Sequence, residues 1–190
     1  MDISGQQPRQ SPDDSGMSTP LAFESMPVAL LHGDNWAPVY CDLLESAESS
    51  IDVALFSISK NWPKKYRGNF NIVDKLCEQA ERGIRCQAAL ATHKPSSMTE
   101  RYNWGAAKRL IESGWRVRWV PPGKLLHAKF LSVDKSKVIL GSHNISYTAA
   151  TVNQDLSVLI KCPDDYLQLN EWFAKLFNDS RNKVRTNWPK

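Results

Sequence analysis

Four residue types that can act together on a phosphate fall within eighteen positions of one another. The stretch 127–144 reads HAKFLSVDKSKVILGSHN. It carries His127 and Lys129 two residues apart on an expected strand, so both side chains point the same way while Ala128 and Phe130 face the other side. A short polar turn, Asp134 to Ser136, leads into a second expected strand, Lys137 to Leu140, which ends in Gly141, Ser142, His143 and Asn144. Folding the second strand back on the first brings Ser142 and Asn144 toward His127. One imidazole, one ammonium, one hydroxyl and one amide then share a small volume, a set able to bind and attack a phosphate.

The elements that must position these residues alternate between helix and strand. Asp34 or Asn35 can cap a helix with apolar Trp36, Val39, Tyr40, Leu43, Leu44 and Ala47 at helical spacing. Residues 51–58 read as a buried strand. Asn71 opens a second helix that closes at Gly83, and 84–91 reads as the next strand. A helix over about 100–112 ends at Gly114, followed by a strand at 115–120. After the two motif strands come a strand at 155–160 and a last helix from Asp164, with Leu167, Leu169, Trp172, Phe173, Leu176 and Phe177 along it. This alternation predicts an α/β fold with a mixed β-sheet flanked by helices.

The pattern H-x-K-x4-D followed by G-S-x-N, here His127, Lys129, Asp134, Gly141, Ser142 and Asn144, resembles the HKD motif of the phospholipase D superfamily. Asn153-Gln154-Asp155 stands where that family often has Asn-x-Glu, with an acid one methylene shorter. Residues 50–59 and 81–91 resemble its first strand and its helix–Arg-Gly–strand unit, so the similarity spans roughly residues 27–178. The resemblance implies a phospholipase D-like single-motif domain and a metal-independent phosphodiesterase. In it His127 is the nucleophile, and Asp155 fixes and stabilises the imidazole through its second nitrogen. Lys129 and Asn144 hold the non-bridging oxygens. Ser142 bonds a phosphate oxygen or orients a neighbour, Asp134 fixes the turn, and Gly141 belongs to the motif's framework.

A phosphodiester also needs a general acid for the leaving oxygen and a base for water. The family supplies these with a second motif histidine. Neither His32-Gly33-Asp34 nor His93-Lys94-Pro95 repeats the motif, so a homodimer is expected to bring two copies of His127 together. No cofactor is expected. With four histidines and no tight ligand cluster, no metal site is expected either.

Composition narrows the substrate less than the motif does. The net charge of +4 is a mild push toward a polyanion. Residues 60–70 interleave Lys60, Lys64, Lys65 and Arg67 with Trp62, Tyr66 and Phe70. Such cations beside aromatics suit phosphates and stacked bases, although Trp62 and Phe70 could equally belong to the core. The favoured reading is an endonuclease acting on DNA or RNA. The alternatives are a phospholipase D or phosphatidyl transferase, and a nucleic-acid-binding module with lost catalysis.

Three stretches are expected: a disordered N-terminal tail over 1–26, a catalytic domain over 27–180 and a basic C-terminal tail over 181–190. No apolar run reaches membrane-spanning length and the N-terminus lacks a signal-peptide pattern. Cys41, Cys77, Cys86 and Cys162 lack C-x-x-C spacing and are expected to be reduced, so the expected location is cytoplasmic.

Overall fold

The computed structural model describes residues 27–62, 71–92, 98–121, 123, 125–161, 167–179 and 181–184. The expected tail over 1–26 and residues 185–190 of the C-terminal tail lie outside them. A seven-stranded mixed sheet forms the middle layer, in the order β1-β7-β6-β5-β2-β3-β4. Its strands are β1 (Val28–His32), β2 (Ser50–Leu55), β3 (Arg85–Ala91), β4 (Arg116–Val120), β5 (Lys129–Val133), β6 (Lys137–Gly141) and β7 (Leu156–Lys161). The helices are α1 (Trp36–Glu45), α2 (Ile72–Glu81), α3 (Met98–Glu112), α4 (Tyr147–Thr151) and α5 (Leu167–Asn178).

β2, β3 and β4 are parallel, and each step between them needs a crossover helix, supplied by α2 and α3. Asn71 caps α2 by accepting from Val73 N and Asp74 N at 3.2 and 3.4 Å. The chain leaves that helix through Gly83 at φ +89°, a left-handed conformation that suits glycine. The remaining pairings are antiparallel.

Alternation along the strands sorts the core into two layers. Ile51, Val53, Ala88, Val117, Leu131 and Ile139 face the helices α1 to α3, meeting Trp36, Leu44, Leu76 and Leu110. The opposite face carries Ala54, Ala89, Phe130 and Val138 under Phe173 and Phe177 of α5. Small alanines opposite two phenyl rings let α5 sit close to the sheet, the large-against-small packing a dense core requires. β2 is buried along its whole length, as a strand covered on both faces must be.

Two elements lie outside the sequence expectation. β1 exists only because β7 pairs with it from Val28↔Ile160 to His32↔Leu156. α4 is a five-residue helix capped by Ser146, whose Oγ accepts from Ala149 N at 3.3 Å. One expectation is corrected: the strand carrying the motif begins at Lys129, and His127 lies just before it in irregular chain. No helix among the described residues is long and apolar enough to cross a membrane.

Candidate active site

β2 and β5 run antiparallel with Leu55 opposite Lys129. The ladder extends one step further through Phe56 N donating to Ala128 O at 3.0 Å. That bond holds the backbone beside His127. The imidazole is exposed and leans on Phe56, with ring centroids 5.0 Å apart.

Lys129 is 7% exposed. Its Nζ donates to His127 O at 2.9 Å and lies 3.3 and 3.2 Å from Nδ1 and Nε2 of the ring. The ammonium thus lies within hydrogen-bond distance of both ring nitrogens, and which of them accepts depends on the tautomer. The same Nζ stands 5.4 Å from the Phe56 centroid, within cation–π range. Burial pushes the Lys129 ammonium below its ordinary range, and the Asp155 carboxylate pulls it partly back. If charged Lys129 is required, the alkaline limb of kcat/KM is expected below the ordinary lysine value of about 10.4. Lys129→Arg should remove that limb, because a guanidinium does not titrate there. A pH–rate series on both proteins checks this, and a limb unchanged by the substitution assigns it to another group.

The antiparallel register of β5 with β6, Phe130 opposite Leu140, continues to place Lys129 level with Gly141. A Cβ on Gly141 would overlap Leu156 O and Ser157 Cα, so only glycine permits this approach of β6 to β7. Directly after it, Ser142 N donates to Leu156 O at 2.9 Å. Ser142 Oγ accepts from Leu156 N at 3.0 Å and donates to Asp155 Oδ1 at 2.6 Å. Asn153 Nδ2 donates to the other carboxylate oxygen at 3.0 Å. The bond expected between Asp155 and His127 is therefore absent within the protomer: register at the β6–β7 junction puts this acid on the serine.

Asn144 follows on the exit from the sheet, which Ile145 fixes by donating to Ser57 O at 3.2 Å and accepting from Ser59 N at 2.7 Å. Asn144 Oδ1 is buried with no hydrogen-bond partner among the described residues. Such unpaired acceptors are rare in folded chains and call for an explanation. His143 points the other way into the core, stacked on Trp36 at 4.6 Å and joined to Ser157 Oγ at 2.8 Å. Burial lowers its pKa, opposed by the Asp155 charge.

Asp134 sits at the far end of the hairpin and serves the framework. With Lys135 it adopts left-handed φ of +51° and +57°, closed by Ser136 N donating to Val133 O at 3.2 Å, as a tight hairpin needs. Its carboxylate accepts from Glu48 N at 3.0 Å, Ser49 N at 2.8 Å, Ser49 Oγ at 2.9 Å and Ser50 N at 2.9 Å. Burial alone would raise its pKa, but the bonds from Ser50, Ser49 and Glu48 outweigh this and hold it below the carboxylate range. The sign follows: its contribution to stability is complete above the ordinary aspartate range and is lost as pH falls through the lowered folded value. Asp134→Ala should cost about 2–3 kcal/mol at neutral pH. Urea unfolding at pH 7 and pH 3 checks this, with the gap between the proteins narrowing at the acid value.

The expected basic loop divides. Lys60 is exposed, its stem lying against Gly105 of α3. Trp62 is corrected to a core residue: it is 4% exposed and meets Trp36 edge-on at 5.8 Å, so it has no free face for a base. Lys64, Lys65, Tyr66 and Arg67 lie outside the described residues. Cys41, Cys77 and Cys86 are free and buried, and burial pushes the Cys41 and Cys86 thiols up to about 12. Cys162 lies outside the described residues.

Two features of the site escape sequence reasoning. Asn103 of α3 is wholly buried. It accepts from Ile58 N at 2.8 Å and donates to Phe56 O at 2.9 Å and Ala91 O at 3.0 Å. It thereby ties the segment bearing Phe56 to β3. A cleft of about 420 Å³ also opens beside His127, lined in part by Val120, Leu125, Leu126, Trp172 and Leu176. Neither carries a motif, since each depends on elements far apart in sequence.

A family model described as "Cardiolipin synthase, PLD-like domain" matches residues 40–177, and the chain belongs to this phospholipase D-like family. It is 27% identical over 190 residues to the 5'-3' exonuclease PLD3 of Rattus norvegicus, covering 91% of this chain and 36% of the relative. It is 28% identical over 165 residues to the Homo sapiens protein of that name, covering 78% and 32%. The chain thus spans about a third of the length of these relatives. Among solved structures, the phospholipase D family member Nuc from Salmonella typhimurium aligns with TM-score 0.68 at 20% identity, over 84% of this chain and 100% of that one. Phosphatidylserine synthase from Haemophilus influenzae aligns with TM-score 0.63 at 19% identity, over 86% and 41%. These likenesses establish the shared mixed-sheet fold.

Proposed function

We propose that this chain is a metal-independent nuclease in which His127 attacks phosphorus and forms a phosphohistidine. The observation that carries the reading is an exposed imidazole set directly against the ammonium of Lys129. A phosphodiester anion approaching His127 meets that charge at once. Lys129 neutralises, and Asn144 hydrogen-bonds through Nδ2, the non-bridging oxygens where negative charge grows in the transition state. The Ser142–Asp155 pair holds the β6–β7 junction that presents Asn144. The relatives named as 5'-3' exonucleases support nucleic acid as the substrate class, whereas the mode of cleavage, internal or end-directed, is set by the test below.

Leaving-group protonation requires a second acid, and no carboxylate bonds His127 among the described residues. A two-fold dimer meets both needs, with the symmetry-related histidine as general acid and an acid from the partner copy on the imidazole. Sedimentation of the full chain is expected to give twice the mass of 21.5 kDa.

The test of function is cleavage of labelled single- and double-stranded DNA and RNA in excess chelator, with a circular single strand included. Chelator-resistant cleavage, including cleavage of the circle, is the expected result for an endonuclease. A resistant circle beside a degraded linear strand replaces that mode by an end-directed one. No cleavage of any substrate contradicts the reading.

A further inference from the structure

We propose that the outer face of β4, leading into the cleft beside His127, is a binding track for a single nucleic-acid strand; this rests on the nuclease reading above. β4 ends the sheet order, with its outer edge bonded to Lys183 through Trp119, and its alternation places Arg116 and Arg118 on the face opposite buried Val117 and Trp119. Both guanidiniums lie over the buried Phe177 ring of α5, at 5.4 and 5.6 Å from its centroid. The ring holds them in place while leaving their hydrogen-bond donors directed elsewhere.

Neither arginine has an ion-pair partner among the described residues. Asp52 shares a sheet row with Arg116, two strands away through Gln87, Asp179 lies two residues beyond Phe177, and both are already engaged. Asp52 is held by Arg85 at 3.0 and 3.2 Å, and Asp179 by the Nε of Arg181 at 3.0 and 3.1 Å. Two fixed like charges over one ring repel each other, and an anion bridging them relieves that repulsion. Side chains two residues apart on a strand stand about 6.7 Å apart, comparable with the step between successive phosphates of an extended chain.

The track has a direction. Val120, two residues beyond Arg118 on the same face, lines the cleft that holds His127, and so do Trp172 and Leu176, which precede Phe177 on α5. From Arg116 to Val120 is about 13 Å along the strand. Trp172 is 40% exposed and Leu125 is 53% exposed, giving the cleft an apolar wall on which an unstacked base can lie. At about 420 Å³, the cleft has the size of a small-molecule site and accepts a nucleotide rather than a duplex. A strand bound with its reacting phosphate at His127 and the adjoining base against Trp172 would carry its next phosphates to Arg118 and Arg116.

The experiment measures binding of fluorescein-labelled oligo-dT and of an equal-length duplex across a salt series. The protein is the full chain carrying His127→Asn, with and without Arg116→Gln plus Arg118→Gln. The double substitution is expected to weaken oligo-dT binding about 10-fold and to flatten the slope of log K against log salt by about 1.4, the value for two phosphate contacts on a single strand. Arg116→Lys plus Arg118→Lys should restore the slope, showing that charge and not fold was lost. An unchanged affinity and slope, with His127-intact protein still cleaving strands, overturns the track and leaves the nuclease reading standing. Duplex bound as tightly as oligo-dT overturns its single-strand character. Failure of the His127-intact protein to bind or cleave any nucleic acid, with turnover of phospholipid vesicles instead, removes both readings.

Discussion

His127→Ala is expected to lower kcat/KM for phosphodiester cleavage by about 10⁴-fold or more, equivalent to roughly 5.5 kcal/mol of transition-state stabilisation. Loss of a nucleophile removes the covalent route altogether, and what remains is whatever Lys129 and Asn144 contribute by binding and charge neutralisation. The fold should be indifferent to the change. His127 is exposed, precedes β5 and uses its backbone, through its carbonyl, to hold Lys129, and alanine keeps that carbonyl. Thermal unfolding of the two proteins should therefore agree within about 0.5 kcal/mol. A variant that stays folded yet retains more than a tenth of the activity would mean that another group attacks phosphorus.

Asn103→Leu should strongly destabilise the fold although Asn103 lies outside the motif. The replacement has the same branching and number of side-chain heavy atoms but leaves Ile58 N–H, Phe56 C=O and Ala91 C=O without the partners they have at 2.8, 2.9 and 3.0 Å. Stranded buried polar groups cost about 1–3 kcal/mol each, and partial relaxation of the loop should bring the total to about 3–5 kcal/mol. For a chain of this size that corresponds to a fall in Tm on the order of 10 °C. Activity should fall as well, because Phe56 bears on both the His127 ring and the Lys129 ammonium. Calorimetry with an activity measurement well below Tm separates the two effects. An unchanged Tm would show that water or a rearranged backbone replaces all three bonds.

These two residues also mark how far the sequence can be read. His127, Lys129, Ser142 and Asn144 are legible because the chemistry sits on one hairpin, where strand alternation and a short turn fix positions locally. The helices are legible for a similar reason: Asn71 and Gly83 bracket α2 with local signals. Asn103 is not, because a polar residue in a helix reads as a solvated face until α3 is laid across the ends of β2 and β3. Trp62 shows the same limit, since an aromatic among lysines gives no sign of whether it meets a base or Trp36. β1 has no signal of its own, its order coming from β7, more than a hundred residues downstream. Asp155 is found at the expected place in the chain, yet its partner depends on the register of β6 against β7, which spacing alone does not specify. Arg116 and Arg118 look like the solvated side of an alternating strand until the fold places Phe177 beneath them.

The most direct test of the account is to look for the covalent intermediate itself. Wild-type protein is mixed with excess oligonucleotide in chelator, quenched within the first turnover at a pH that preserves phosphoramidate, and digested for mass spectrometry. The account predicts a nucleotidyl adduct, linked through one remaining ester bond, on the peptide bearing His127, formed and discharged at the rate of turnover and absent from His127→Ala. Full turnover with no adduct at any time, or an adduct on a different residue, would contradict it.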